Sequence, residues 1–181
     1  GMKTLLIANK HLGALVLEML LRRGHDVTLI TADAENASAI WADRLSVKTT
    51  VKPDRVPLVG EDIPAGLDLV ISAHSHRILP TWVTQRPKRG AIGYHPSLLP
   101  AFKGRAAIAD ALAAGVPFTG GTVYHLTNEL DGGATVMGRS GPLQKSVQVI
   151  WGEAPTQIWR RALLPLGLEL LTEAVETLEG A

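Results

Sequence analysis

Thr4-Leu5-Leu6-Ile7-Ala8, then Leu12, Leu15, Val16, Met19 and Leu20 at helical spacing, then Asp26-Val27-Thr28-Leu29-Ile30-Thr31, open the chain. The first run is apolar without alternation, as expected of a strand covered on both faces. The spaced residues form one stripe of a helix, and Gly24 is placed to cap its C-terminus. Strand, helix and strand within about thirty residues make a βαβ unit, which requires a parallel sheet with a right-handed crossover. The fold class is therefore α/β.

Working outward, Ala37 to Leu45 reads as a short helix. Val47 to Pro64 holds three of the eleven prolines and room for one short strand near Val47–Thr50. Leu67 to Ala73 is a second fully buried strand, Pro80 to Thr84 a short helix, and Gly90 to Tyr94 a further strand. Ala106 to Ala114 reads as a helix closed by Gly115, and Thr119–Leu126 and Ala134–Gly138 as strands. The apolar spacing from Pro155 to Leu178 predicts a long C-terminal helix, bent near Pro165 because proline cannot donate within it. No repeat, low-complexity tract or linker divides these elements, so residues 1–181 are expected to form one domain.

Composition narrows the function classes. With 181 residues and 46% hydrophobic content the chain can bury a sizeable core. A net charge of +1 without long basic runs gives no electrostatic footprint for nucleic acid. The absence of cysteine excludes disulfides, thiolate metal sites and thiol nucleophiles. No apolar run approaches the ~18 residues of a membrane span. Met2-Lys3-Thr4 leads straight into a strand rather than a secretion signal, with Gly1 as a cloning remnant. The expectation is a cytoplasmic protein that binds no membrane; a homodimer fits a small α/β enzyme, although no interface is legible.

Three segments follow strands and so lie where open α/β sheets hold their ligands. Asn9-Lys10-His11-Leu12-Gly13 lacks the glycines of a dinucleotide turn, but Lys10 and His11 are candidates for contact with an anionic substrate. In His74-Ser75-His76-Arg77 an extended backbone would point the two rings to opposite sides, so no metal site is expected. The third is Gly93-Tyr94-His95-Pro96-Ser97-Leu98-Leu99-Pro100-Ala101-Phe102-Lys103-Gly104, with Asp131 lying 36 positions beyond His95. Pro96 and Pro100, both following His95, stiffen the loop holding the imidazole, and Lys103 and Arg105 bring cations beside it. Asn128 to Gly133 is a turn by composition. A carboxylate from that turn, if close in space, would fix the imidazole tautomer.

Taken together these segments resemble the N10-formyltetrahydrofolate-dependent formyltransferase family. Its signature, Asn-x-His-x-Ser-Leu-Leu-Pro-x-x-Lys/Arg-Gly followed by a distant Asp-x-Gly, is matched at His95, Ser97, Leu98, Leu99, Pro100, Lys103, Gly104, Asp131 and Gly133. The resemblance implies a single Rossmann-like, three-layer domain with a mostly parallel twisted sheet. It implies His95 and Asp131 as the catalytic pair and 10-formyltetrahydrofolate as formyl donor. Arg77-Ile78-Leu79 looks like the wall of the pterin pocket, and Thr127, Asn128, Glu129 and Leu130 like the folate-binding loop. Lys10, His11, Gly93 and Lys103 are left to face the acceptor substrate. One position departs: the family's asparagine, an oxyanion donor, falls at Gly93, and loss of such a donor typically costs ~10²–10³ in rate.

The acceptor-specific features of the family do not appear either. Lys10-His11-Leu12 stands where glycinamide ribonucleotide enzymes carry a Gly-Ser-Asn-type phosphate loop, and no additional domain is expected before or after the catalytic one. Transfer of a formyl group to a primary amine of a small acceptor is the leading expectation. The glycine also admits two alternatives: a folate-binding regulatory relative without turnover, and a hydrolase of the formyl donor.

Overall fold

The computed structural model describes residues 1–181, which divide into two compact units, 1–93 and 94–181. In chain order the elements are β1 (Lys3–Ala8), α1 (Lys10–Arg22), β2 (Asp26–Thr31), α2 (Ala37–Arg44), β3 (Lys48–Val51), β4 (Leu69–Ala73), α3 (Thr81–Thr84) and β5 (Ala91–His95). They continue with α4 (Ala107–Ala113), β6 (Phe118–His125), β7 (Met137–Gly138), β8 (Gly141–Pro142), β9 (Gln144–Gln148), α5 (Pro155–Ile158) and α6 (Leu164–Glu179). Seven strands form a sheet in the order β3-β2-β1-β4-β5-β6-β9. The fold is α/β and Rossmann-like, with a mostly parallel sheet.

In the first unit β1 pairs in parallel with β2 and β4, β2 with β3, and β4 with β5. The apolar runs behave as their composition demands: Leu5, Leu6, Ile7, Leu69, Val70 and Ile71 are all buried. Strand order reverses between β1 and β4, which places a crevice beyond their carboxyl ends, the usual ligand position in such sheets. Gly13 has a packing reason rather than a phosphate-binding one. A Cβ there would sit 2.8 Å from the Ala8 Cβ and collide with the Ser38 hydroxyl, so only glycine lets α1 lie this close to β1.

The second unit contains antiparallel β6 and β9, with Phe118 opposite Gln148 and Thr122 opposite Gln144. Its core is organised by Tyr94, whose ring lies between two glycines. A Cβ on Gly167 would come within 2.7 Å of the Tyr94 ring, and one on Gly121 within 2.5 Å of it. The phenol passes between β6 and α6 and donates to the Leu163 carbonyl at 2.7 Å. Burial pushes the Tyr94 hydroxyl far above the usual tyrosine range, so it remains a donor.

The C-terminal helix differs from the expected single span. Trp159–Leu163 is wound as a π-helical turn between α5 and α6. Pro165 has no N–H to return to the preceding turn, which interrupts α-helical bonding there. The strand expected over Ala134–Gly138 contracts to β7, preceded by one bridge between Tyr124 and Thr135. Strand β9 is polar (Gln144-Lys145-Ser146-Val147-Gln148) and lies at the sheet edge, where it lacks the apolar pattern that marks a strand in sequence. No helix is long and apolar enough to cross a membrane.

Candidate active site

His95 ends β5, and both its ring nitrogens have acceptors within the second unit. Nε2 lies 2.8 Å from the Phe102 carbonyl oxygen, which can only accept, so Nε2 carries a proton. Nδ1 faces the Asp131 carboxylate, with Oδ2 at 3.4 Å. The histidine is 6% exposed and the aspartate 7%, so solvent screens their interaction little.

The Asp131 carboxylate has two further donors. The Gly104 N–H reaches Oδ2 at 2.9 Å, and the Tyr124 hydroxyl reaches Oδ1 at 2.9 Å. Each oxygen is thus engaged, which holds the carboxylate plane in one orientation. Asp131 has φ of 51°, a left-handed conformation that aspartate tolerates better than most residues and that turns its side chain back under the loop. Phe102 has φ of 52°, which brings its carbonyl round to His95.

The loop from Pro96 to Gly104 is anchored by side chains the sequence did not single out. The Thr122 hydroxyl donates to the Ser97 carbonyl at 2.7 Å and accepts from the Leu99 N–H at 3.2 Å. Gln144 on β9 donates to the Leu99 carbonyl and to the Thr122 hydroxyl, both at 2.9 Å. The Ser97 hydroxyl closes the turn on the Ala101 carbonyl at 2.6 Å. Tyr124, Thr122 and Gln144 act through contacts distant in sequence. Only an already expected neighbour relation between β6, β9 and the loop could have marked them.

The remaining expected residues of this unit lie on exposed backbone. Thr127, Asn128, Glu129 and Leu130 are all exposed, and Leu130 retains 41% of its surface open. The Glu129 N–H bonds the Thr127 hydroxyl at 3.2 Å, which orders the turn locally. Lys103 is exposed beside Gly104.

Within the first unit, Gly93 is buried on β5, paired with Ser72 of β4. Lys10 and His11 are exposed at the start of α1, and Lys10 is held at φ of 60°. A polar network makes that conformation possible. Asn9 donates to the His74 carbonyl and accepts from Thr31 and Ala32, while Asn36 accepts from the Lys10 and Ser38 N–H groups. Arg77 directs its guanidinium to the carbonyls of Lys52, Pro53 and Val56 at 2.7–3.0 Å, so that group shapes the 52–56 loop. Ile78 is 54% exposed, whereas Leu79 belongs to the core.

The two histidines that follow β4 depart from the extended geometry expected of them. His74 has φ of 56°, and this turn brings the His74 and His76 rings edge to face with centroids 6.2 Å apart. Burial, then the positive charges of Lys10 and His76, push the His74 pKa from 6.5 down to about 4. Between those values the unfolded chain binds a proton that the folded chain refuses, so stability falls as pH drops through the window. Urea unfolding of His74→Asn is expected to lose less stability than the parent between pH 7 and pH 4.5. Parallel pH dependences for the two chains would remove His74 as the cause.

Comparisons with known proteins bear on both units. A model of the Formyl transferase family matches residues 57–175. Over 179 residues the chain is 31% identical to a methionyl-tRNA formyltransferase of Acidobacterium capsulatum, covering 91% of this chain and 54% of that protein. It thus spans about half the length of the curated relatives it matches. A solved structure of glycinamide ribonucleotide transformylase 1 from Symbiobacterium toebii superposes with a TM-score of 0.79 at 25% identity. That match covers 99% of this chain and 89% of the other. Phosphoribosylglycinamide formyltransferase from Anaplasma phagocytophilum superposes with a TM-score of 0.76 at 26% identity, covering 97% and 86%. The matched residues include His95, Asp131 and the whole loop between β5 and α4, and the chain belongs to the formyl transferase family.

Proposed function

We propose that this chain transfers the formyl group of 10-formyltetrahydrofolate to a primary amine of a small acceptor. The observation that carries the reading is the buried approach of His95 Nδ1 to Asp131 Oδ2 at 3.4 Å inside the family-matched region. The acceptor nitrogen attacks the formyl carbon, a carbon–nitrogen bond forms, and the formyl oxygen becomes an oxyanion. As that intermediate collapses, the bond to N10 of the folate breaks, the acceptor nitrogen gives up a proton, and N10 takes one. His95, held by Asp131, is the group suited to donate to the oxyanion and to move that proton, its Nε2–H exchanging the Phe102 carbonyl for the reacting group. Gly93 supplies no side-chain amide, so His95 carries more of this stabilisation than it would beside an asparagine.

For the donor, each unit offers one exposed apolar side chain suited to cover a flat pterin, Ile78 in the first and Leu130 in the second. Thr127, Asn128 and Glu129 supply polar groups for its edges. In the first unit Leu79, next to Ile78, is buried in the core, and Arg77 holds the 52–56 loop. For the acceptor, the Lys10 ammonium and the imidazoles of His11 and His76, which follow the carboxyl ends of β1 and β4, favour a molecule that carries an anionic group besides its amine. Lys103 adds a further exposed cation on the loop following His95.

The test is incubation with 10-formyltetrahydrofolate and a panel of primary amines, with and without phosphate or carboxylate groups, while release of tetrahydrofolate is followed. Release that requires the amine, and rises for anionic amines, is the expected result. Release at the same rate with no amine present would identify a hydrolase instead, and no release with any amine would end the transfer reading.

A further inference from the structure

Tyr124 is the one side chain besides His95 that touches the Asp131 carboxylate, and neither the signature nor the spacing of the sequence points to it. We infer that Tyr124 is a positioning residue for the reaction: its phenol aims the Asp131 carboxylate at His95. The inference rests on the formyl-transfer reading for its catalytic consequence, but its structural content stands without it.

The geometry divides the carboxylate between its partners. Oδ2 serves the Gly104 N–H at 2.9 Å and faces His95 Nδ1 at 3.4 Å, while Oδ1 is reached by Tyr124 at 2.9 Å. Without the phenol, rotation about the Cβ–Cγ bond would be restrained at one oxygen only, and a buried acceptor would lose its donor. Gly104 cannot substitute, because its amide belongs to a loop whose backbone sits at φ of 93° and is joined to Asp131 by that single bond. Tyr124 comes instead from β6, a rigid element, and the bridge from Tyr124 to Thr135 fixes it on the far side as well. Groups that orient a reacting residue do so best from such elements.

The phenol also keeps its proton. Burial first, then the charge of Asp131 and the hydrogen bond to it, push the Tyr124 hydroxyl well above the ordinary tyrosine range. It remains a donor at every pH at which the protein works, and it does not compete for the proton that His95 handles. Tyr124 is 7% exposed, so water cannot readily take its place.

Tyr124→Phe keeps the ring and removes only the hydroxyl. In this variant kcat is expected to fall about tenfold, equivalent to ~1.4 kcal/mol, with KM for the formyl donor unchanged. In an Asp131→Asn background the same change is expected to cost less than about twofold, because a residue acting through Asp131 has nothing left to position. The second measurement uses no substrate: ¹⁵N resonances of the His95 ring. Loss of the phenol is expected to move the Nδ1 resonance, which faces Asp131, and to leave Nε2, bonded to Phe102, in place. A tenfold loss that persists in the Asp131→Asn background, or an unmoved Nδ1 resonance, would overturn the inference. If the parent chain turns over no donor, the transfer reading fails, and the ring resonances alone still decide the role of Tyr124.

Discussion

His95→Ala is expected to lower tetrahydrofolate release by about 10³-fold, within the 10²–10⁴ that a general acid–base residue contributes. The size follows from how few groups share the task. In the transfer proposed above, the oxyanion would need a donor in a dry site, and Gly93 provides no side chain to share that role with the imidazole. The carboxylate behind the ring cannot act in its place, since an ionised Asp131 accepts hydrogen bonds and donates none. His95→Gln is the useful companion. Its amide is suited to restore a donor toward the Phe102 carbonyl, which the ring reaches at 2.8 Å, while removing proton transfer. Binding of the donor, measured by fluorescence quenching, should be retained in both variants, and added imidazole should rescue the alanine variant alone. Equal turnover in parent and His95→Ala would mean that the chemistry lies elsewhere.

How far these features could be read without coordinates depends on the physical range of the contacts involved. Strands β1, β2, β4 and β5 are buried on both faces, and continuous apolar composition records that locally, so their positions were expected within two residues. The turn that carries Asp131 was legible for a similar reason, because Gly132 and Gly133 mark a tight turn by themselves. Strand β9 was not: its residues gain their hydrogen bonds from β6 without burying an apolar face, and nothing local shows this. The π-helical turn was half visible. Pro165 predicts an interruption, but nothing local shows that it takes the form of a π-helical turn over Trp159–Leu163. The site divides in the same manner. His95 and Asp131 stand in a signature, whereas Tyr124, Thr122 and Gln144 act through hydrogen bonds to residues 7 to 45 positions away that leave no periodic trace.

Gly133→Ala is expected to disable the site by a route that never touches a reacting atom. A Cβ on Gly133 would run into the His125 carbonyl oxygen, which is backbone at the end of β6 and has little freedom to yield. The two segments are held together here: the His125 N–H bonds the Ala134 carbonyl at 2.8 Å, the Val136 N–H bonds the Val123 carbonyl at 2.8 Å, and Tyr124 bridges Thr135. Relief of the clash must therefore open this ladder, which carries Tyr124 on one side and leads from Asp131 on the other. Overpacking of this kind costs ~1–3 kcal/mol, which for a chain of this length corresponds to a fall in Tm of roughly 3–10 °C. The catalytic loss should be larger than the stability loss suggests, about 10²-fold, because a displacement of the order of 1 Å is enough to uncouple a catalytic pair. Gly132→Ala supplies the contrast. A Cβ there meets Glu129, 2.8 Å from its Cβ and 2.9 Å from Oε2; rotation of the carboxylate relieves the second contact, and the first is relieved by a small shift of the exposed 127–130 turn rather than of the β6 ladder. Its expected effect is a Tm within about 2 °C of the parent and turnover within about threefold, in line with surface substitutions generally. Adjacent glycines in one turn should thus differ by more than an order of magnitude in kcat, and equal losses in the two variants would show that Asp131 is not held through the β6 ladder.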